Sequence, residues 1–147
     1  GLMGRESIEG ALVIEPCRWI HTIGMKFPID VAYLDPDGVD RQSWHLLGRD
    51  ADGALMSYLR VVDPGVKYEE PSIGRVITAP EVRGNGSGRV LMAEGIGGCE
   101  RHWPGRALRI SAQARLERFY NAFGFVRVGD NYIEDTIPHV EMLRAAR

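Results

Sequence analysis

The sequence contains two cysteines, Cys17 and Cys99, and neither belongs to a Cys-x-x-Cys pair. Two distant thiols cannot form the disulfide framework of a small secreted domain, and they do not supply the thiolate cluster of a structural zinc site. Histidine is also scarce, with four in the chain, and no two of them have metal-ligand spacing. We therefore predict no metal site and a reducing, cytoplasmic location.

The sequence also lacks a long apolar run and an excess of charge of one sign. No run approaches the roughly 20 apolar residues that span a bilayer, and 18 Lys and Arg against 20 Asp and Glu give a net charge of −2. The first absence argues against a membrane protein and the second against a nucleic-acid partner. The 147 residues, 44% of them hydrophobic, are enough for one folding unit with a substantial core.

Several segments have the composition and alternation of β-strands. Two apolar runs within residues 45–62 flank Asp50, Asp52 and Gly53, which is the turn chemistry of a β-hairpin. The other predicted strands lie at residues 72–79, 107–114, 125–129 and 139–144. Strands separated by helical segments predict an α/β mixture.

Two segments have helical periodicity. The first is predicted over residues 88–101 and ends before "WPG". In the second, four apolar residues at i, i+3, i+4 and i+7 form one helix face, and Gly124 stands where a left-handed C-cap would end it. These four are Leu116, Phe119, Tyr120 and Phe123.

The stretch "EVRGNGSGRVLM" (81–92) joins a predicted strand to a predicted helix through three glycines. A glycine-rich turn at a helix N-terminus exposes backbone N–H groups and the positive end of the helix dipole, so it predicts an anion site, most simply for phosphate. A Walker A loop requires Gly-Lys-Ser/Thr, whereas this stretch has Gly-Arg-Val. The G-x-G-x-x-G pattern also fails, so neither nucleotide motif is present.

The spacing Arg83-x-x-Gly86-x-Gly88 resembles the pyrophosphate-binding signature of the GNAT N-acetyltransferases. Three stretches follow the order of the ElaA-like branch of that superfamily over residues 33–147: "IGRVITAPEVRGNGSGRVLM", "ISAQARLERFYNAFGF" and "DNYIEDTIPHVEM". The resemblance implies a GNAT-like α/β fold, in which a mixed, mostly antiparallel sheet with splayed central strands is flanked by helices. It also implies an enzyme that transfers an acetyl group from acetyl-CoA to a primary amine by direct attack.

The resemblance further implies which residues bind coenzyme A. The main chain of the loop would hold the pyrophosphate, and the edge of the preceding strand would pair with the amide-containing pantetheine arm. The predicted loop residues are Arg83, Gly84, Asn85, Gly86, Ser87, Gly88 and Arg89, and the predicted strand residues are Val76, Ile77 and Thr78. The splay would separate this strand from residues 108–112, where the small side chains of Ala112 and Ala114 suit either a slot or ordinary core packing.

Two residues are predicted to be catalytic. Tyr120 matches a GNAT tyrosine that protonates the departing thiolate, although an aromatic residue on an apolar helix face also serves packing. His139 stands where the ElaA pattern has histidine, and a structural role is the alternative for it. Further candidates to receive a proton from the amine are His45, Glu134, Asp135 and Glu141.

Residues 1–38 depart from the ElaA pattern. "GLMGR" and "IHTIGMKFPIDVAYLDPDG" resemble the DUF192 family, so we predict a partial DUF192-like segment at residues 1–38 and an acetyltransferase core at residues 39–147. The strand-like "ALVIEPC" and "IDVAYLD" would pair with each other or add to the main sheet, making the N-terminus β-rich. This departure leaves open a coenzyme A binder with impaired catalysis, or a structural protein without activity.

The second half of the first helix contains Gly95, Gly97 and Gly98. Each glycine inside a helix costs about 1 kcal/mol relative to alanine. Either the helix is marginal there, or another element packs very close to it. A homodimer through this face or through an exposed strand edge is a third interpretation.

Overall fold

The computed structural model describes residues 7–8, 11–14 and 39–147. Its strands are β1 (Ser7–Ile8), β2 (Ala11–Ile14), β3 (Trp44–Arg49), β4 (Leu55–Val62), β5 (Ser72–Thr78), β6 (Leu108–Gln113), β7 (Phe125–Glu134) and β8 (Ile137–Arg144). Its α-helices are α1 (Ser87–His102) and α2 (Glu117–Asn121). No helix in these ranges is long and apolar enough to cross a membrane.

The strands form one sheet in the order β1-β2-β3-β4-β5-β6-β8-β7. Every neighbouring pair is antiparallel except β5 and β6, which are parallel. A parallel pair needs a crossover, and α1 provides it between β5 and β6. The predicted α/β fold with a mostly antiparallel sheet is therefore confirmed.

The hairpin of β3 and β4 forms where the turn residues predicted it. The Asp50 carboxylate accepts hydrogen bonds from the amides of Asp52 and Ala54, at 3.0 and 2.8 Å. Gly53 adopts φ 84°, a conformation that costs little only without a β-carbon.

The parallel strands β5 and β6 diverge from a single point. Their one paired position is Ser72 with Arg109, and the Arg109 amide also donates to the Pro71 carbonyl at 3.1 Å. The Arg109 guanidinium binds Glu70 through two hydrogen bonds, of 2.9 and 3.0 Å, and Glu141 on β8 through one of 2.9 Å. This charged cluster fixes the closed end of the splay, and beyond it the facing edges of β5 and β6 are not paired with each other.

Helix α1 lies within one residue of its predicted bounds and packs its apolar side on the sheet. Leu91, Met92, Ile96 and Cys99 are buried in the main core. A β-carbon on Gly95 would lie 2.7 Å from Leu59 Cδ2, whereas one on Gly98 would meet nothing within 4 Å. Close packing therefore explains Gly95 but not Gly98.

Helix α2 is shorter than the predicted apolar face. A 3₁₀ turn at Ala114–Leu116 precedes it, and Leu116 is 37% exposed rather than buried. Tyr120 is buried, and Phe119 and Phe123 pack against the core as expected. Gly124 adopts φ 85°, which agrees with the predicted left-handed end of the helix.

Strands β7 and β8 form a longer hairpin than the predicted strands at residues 125–129 and 139–144. The turn between them places Asp135 at φ 48° and Thr136 at φ 66°. Non-glycine residues pay a conformational cost at positive φ, and such strain is concentrated at functional sites. The extension brings Tyr132 and Glu134 into the sheet beside His139.

The N-terminal strands join the sheet beside β3. Ala11 pairs with Gly48 and Ile14 with His45, so part of the predicted strand "ALVIEPC" adds to the main sheet between β1 and β3. The predicted strand "IDVAYLD" lies outside the described residues. The division into residues 1–38 and 39–147 stays a prediction.

Candidate functional site

The glycine loop enters α1 through two left-handed residues. Gly84 has φ 81° and Gly86, the N-cap of α1, has φ 97°. Side chains at these positions would be strained, which explains why glycine occupies them. The first turn of the helix contains no acidic residue and no side chain caps it, so the positive end of the helix dipole is not neutralised.

Four amides of this loop have no hydrogen-bond partner within the described part of the chain: those of Gly84, Asn85, Gly86 and Gly88. Three others are already used. The amide of Arg83 donates to the Pro80 carbonyl, that of Arg89 to the Gly86 carbonyl, and that of Ser87 to Asn85 Oδ1. Fewer amides are therefore available to an anion than the predicted cradle from Arg83 to Arg89 would use.

Two side chains of the loop are held by neighbouring groups. Arg83 Nε donates to the carbonyl of Thr78 at 3.3 Å, which ties the loop to the end of β5. Asn85 Oδ1 accepts from both the amide and the hydroxyl of Ser87, at 2.9 and 2.7 Å. The side chain of Ser87 thus stabilises the loop rather than pointing away from it.

The splay between β5 and β6 opens a cleft of about 390 Å³. Val76 and Ile77 line it on β5, and Ala112 lines it on β6. Tyr120 from α2 and His139 from β8 line the same cleft. Five residues from separate predicted roles are thereby brought together, and Thr78 ends β5 between them and the glycine loop in the chain.

The β5 wall of the cleft contains an irregularity. β4 pairs with Gly74 and with Ile77, and the register shifts between them. Arg75, inside this shift, has φ 54°. The bulge reorients the peptides of Arg75 and Val76 relative to a regular strand, and it does so where strand and cleft meet.

Tyr120 is 8% exposed, and its ring packs edge-on against Phe119 and Phe125. Burial raises its pKa above the ordinary value of 10.0, so the phenol stays protonated at neutral pH. Its hydroxyl has no hydrogen-bond partner among residues 39–147, although its side chain lines the cleft. The ring is thus held by the core while the hydroxyl faces the cleft, where it can bind water or a ligand.

The tautomer of neutral His139 follows from its hydrogen bond. Nδ1 lies 2.8 Å from the carbonyl oxygen of Ile137, which can only accept, so Nδ1 carries the proton. The Nε2 lone pair is then available as a base. Cross-strand pairing with Gln113 on one side and Tyr132 on the other fixes the position of His139.

Sequence reasoning named Glu134 but missed the two hydroxyl groups on β6 and β7 that lie beside it. Ser111 Oγ is hydrogen-bonded to the Tyr132 hydroxyl and lies 3.1 Å from Glu134 Oε2. Strand alternation on β6 could have placed Ser111 on the opposite face from Ala112, but it could not show which side chains of β7 would meet it. Tyr68 also lines the cleft, and burial, followed by the charge of Glu141, raises its pKa to about 12.

The other candidates for accepting a proton lie in different parts of the structure, and not all of them line the cleft. Asp135 lines the cleft with Glu134. Glu141 is bound to Arg109 at 2.9 Å. His45 does not line the cleft, and its Nδ1 lies 2.8 Å from the Tyr58 hydroxyl. In the described ranges, no three His, Cys, Asp or Glu residues are grouped closely enough to hold a metal ion.

The profile of the acetyltransferase (GNAT) domain matches residues 36–145. This range contains the glycine loop, the splayed strands and every residue of the cleft. The chain belongs to the GNAT acetyltransferase family. As a member of that family it is a GNAT-type acyltransferase, and the predicted superfamily is confirmed.

Individual relatives agree with the family match. A UPF0039 protein of Synechocystis is 49% identical over 111 residues, covering 76% of this chain and 72% of that protein. Protein ElaA of Escherichia coli is 38% identical over 111 residues, which again cover 76% of this chain and 72% of that protein. These proteins support the ElaA-like relationship of the acetyltransferase core.

Solved structures show the same fold. An acyl-CoA N-acyltransferase from Pseudomonas aeruginosa superposes with a TM-score of 0.71 at 40% identity, covering 77% of this chain and 76% of that one. The crystal structure of Escherichia coli ElaA gives a TM-score of 0.69 at 38% identity, with 76% of each chain covered. The DUF192-like segment at residues 1–38 lies almost entirely outside the family match, so that resemblance stays a prediction.

Proposed function

We propose that this GNAT family member transfers an acetyl group from acetyl-CoA to a primary amine of a small molecule or peptide by direct attack. The observation that carries the proposal is the cleft between β5 and β6, which is lined by β5 residues shortly before the glycine loop and contains both Tyr120 and His139. A structural role alone does not require a phenol and an imidazole on one cleft.

The loop residues suit the pyrophosphate of coenzyme A. Four adjacent amides without partners, at Gly84, Asn85, Gly86 and Gly88, offer N–H donors at the positive end of α1. A β-carbon on Gly88 would lie 3.8 Å from Thr78 and 3.9 Å from Phe119, so glycine leaves the space beside this amide open. Arg83 and Arg89 add positive charge around the loop.

The unpaired edge of β5 suits the pantetheine arm. Residues 73–78 have no partner on β6, so their outward amides and carbonyls are free to pair with an amide chain, as a strand would. We assign this role to Val76, Ile77 and Thr78. We assign polarisation of the thioester carbonyl to the amide of Val76 or Ile77, beside the bulge at Arg75.

Acetyl-CoA supplies an activated acetyl group together with a thiolate leaving group. Nε2 of His139 accepts a proton from the acceptor ammonium, directly or through water, so that the amine is neutral when it attacks the thioester carbon. Tyr120 donates its hydroxyl proton to the departing sulfur as the carbon–sulfur bond breaks. The second proton that the nitrogen loses as the amide forms restores the Tyr120 phenol through water. The raised pKa keeps Tyr120 protonated through the pH range of the reaction.

Replacement of Tyr120 by phenylalanine tests this assignment. Tyr120→Phe should lower kcat by roughly ten- to a thousandfold and leave acetyl-CoA affinity nearly unchanged, because only the transition state uses the hydroxyl. Steady-state release of coenzyme A thiol measures kcat, and isothermal titration measures affinity. Equal kcat values across the pH range would remove Tyr120 from the chemistry, and weaker binding with unchanged kcat would assign it to packing.

The same assays address the alternative of a coenzyme A binder with impaired catalysis. That alternative predicts binding of acetyl-CoA without turnover by any amine. We do not favour it, because the cleft retains a protonated phenol without a partner and an imidazole with an available lone pair. If the protein neither binds acetyl-CoA nor acetylates any amine, the remaining interpretation is a structural protein without activity.

A further inference from the structure

A compact group of oxygen atoms that neither the loop nor Tyr120 uses borders the cleft. It consists of the Ser111 hydroxyl on β6 and the Tyr132 hydroxyl and Glu134 carboxylate on β7. Ser111 and Glu134 line the cleft, and Tyr132 is hydrogen-bonded to both. Tyr132 lies 3.5 Å from Glu134 Oε2, and Ser111 lies 3.1 Å from the same oxygen. We call these three residues the oxygen triad.

The oxygen triad lies on the opposite face of the sheet from α1. Ile110 and Ala112 of β6 face the core under the helices, so the intervening Ser111 faces the other way. Tyr132 and His139 are paired across β7 and β8, which places them on one face, and Glu141 opposite Ser111 follows the same alternation. The cleft is lined by both Ala112 and Ser111, so it passes through the splay from the helix face to the triad.

The Glu134 carboxylate is not neutralised within the described residues. The ion pairs found there use Glu70, Glu141, Glu117 and Glu100, and the nearby Arg109 is fully engaged with the first two. Glu134 is bound only by hydroxyl groups. Glu134 is exposed, and it lines the cleft without a cationic partner among the described residues.

Tyr120 lines the same cleft as Glu134 from its helix side. It is 8% exposed and its hydroxyl has no partner among the described residues. A group bound between the two sides would satisfy the phenol from one direction and contact the oxygen triad from the other.

We propose that the oxygen triad of Ser111, Tyr132 and Glu134 binds the ammonium form of the acceptor, and that Glu134 makes the enzyme selective for cationic amines. An alkyl ammonium carries three N–H donors and no acceptor, which matches three oxygen atoms around one unneutralised carboxylate. Primary alkyl amines arrive protonated at neutral pH, since their pKa lies near 10. His139, on the same face, then removes the proton, so binding and deprotonation are separate tasks.

The preference depends on this local group rather than on the charge of the whole cleft. Arg60, Lys67 and Arg75 also line it, so long-range attraction of cations is weak. The preference for cationic amines must come from short contacts to Glu134, so neutralising this one side chain should remove that preference. The proposal rests on the proposed function, because it assigns the acceptor end of the same cleft.

The test compares wild type with Glu134→Gln, which keeps the shape and removes the charge. Asp130→Asn is the matched control, since Asp130 is an exposed acid on the same strand that does not line the cleft. The probes are n-butylamine and 1,4-diaminobutane, with 1-butanol as the neutral comparison. Each is titrated by NMR into protein saturated with coenzyme A, and both amines are also assayed for turnover with acetyl-CoA.

We expect wild type to bind both amines more tightly than 1-butanol. Glu134→Gln should weaken amine binding and raise KM by about tenfold, the loss of one charge-assisted contact. Its kcat should change less than its KM, coenzyme A affinity should stay constant, and Glu134→Asp should recover part of the loss. Asp130→Asn should behave as wild type.

Equal amine affinity in wild type and Glu134→Gln, an equal loss in Asp130→Asn, or no preference of wild type for the amines over 1-butanol would overturn the proposal. Failure of the proposed function gives a different result. Charge-dependent amine binding without acetyl transfer would preserve the oxygen triad as an ammonium site and reject the reaction. Acetyl transfer that is indifferent to Glu134→Gln would preserve the reaction and reject the site.

Discussion

A methyl group at Gly88 should obstruct coenzyme A without disturbing the protein. The β-carbon would meet Thr78 Cγ2 at 3.8 Å and Phe119 Cζ at 3.9 Å, which are ordinary contact distances. The backbone there does not have positive φ, unlike that of Gly84 and Gly86. Gly88→Ala should therefore fold normally, and alanine should even favour the first turn of α1.

The expected loss follows from the contacts that the methyl group would displace. The Gly88 amide is one of four loop amides without an internal partner, and the methyl group lies beside it. A hydrogen bond to a charged group contributes about 1.5 to 3 kcal/mol, so losing one should weaken binding about ten- to a hundredfold. Gly88→Val, with a larger side chain, should weaken it further.

Isothermal titration of coenzyme A into both variants measures the effect, and thermal unfolding verifies that they fold. Gly98→Ala is the matched control, because it adds the same methyl group to the same helix in open space, away from the loop. Wild-type affinity in Gly88→Val would refute a pyrophosphate site at this loop. A loss shared equally by Gly98→Ala would instead indicate a general effect on α1.

Two further predictions concern stability. Gly95→Ala should lower the free energy of unfolding by about 1 to 3 kcal/mol more than Gly98→Ala does. The reason is that a β-carbon at Gly95 would lie 2.7 Å from the fully buried Leu59, whereas Gly98 faces open space. Equal effects of the two substitutions in urea denaturation would contradict the close packing. The hydrogen bond with Arg109 lowers the pKa of Glu70 below its ordinary 4.5, so its stabilisation is complete above that pH and is lost as the pH falls through the lowered value. Glu70→Gln should be less stable than wild type at pH 7 and should lose less stability on acidification, and parallel pH profiles for the two proteins would show that this ion pair contributes nothing.

The elements of the acetyltransferase core were predictable because their signals are local. Alternation along β5, the turn residues at Asp50 and Gly53, and the apolar face of α1 are each contained within one segment of chain. The glycine loop is equally local, since left-handed φ angles at Gly84 and Gly86 and a helix N-terminus follow from adjacent residues. Which amides stay free was not predictable, because Arg83, Ser87 and Arg89 are occupied by turn geometry that the residue types do not specify.

Helix α2 shows how a correct periodicity can give wrong bounds. The i, i+3, i+4, i+7 spacing identified a real apolar face, and three of its four residues pack against the core. The prediction that Leu116 is buried is wrong because the chain leaves β6 through a 3₁₀ turn, which changes the angle between successive side chains. The sequence around residues 114–116 contains no glycine or proline that would have marked this turn.

The acceptor side was harder to predict because its residues meet only across strands. Ser111, Tyr132 and Glu134 come from two strands whose mutual position is set by β8 between them. The register places Gln113 opposite His139, and His139 opposite Tyr132, and a shift of one residue would turn Tyr132 to the other face. The turn at Asp135 and Thr136 holds that register at the cost of two positive φ angles. The same turn therefore sets the position of Glu134. Thr136→Pro cannot adopt a φ of 66°, so it should displace Glu134 and raise the acceptor KM. Coenzyme A affinity should change less, because the glycine loop lies between β5 and α1 and does not line the cleft beside Glu134.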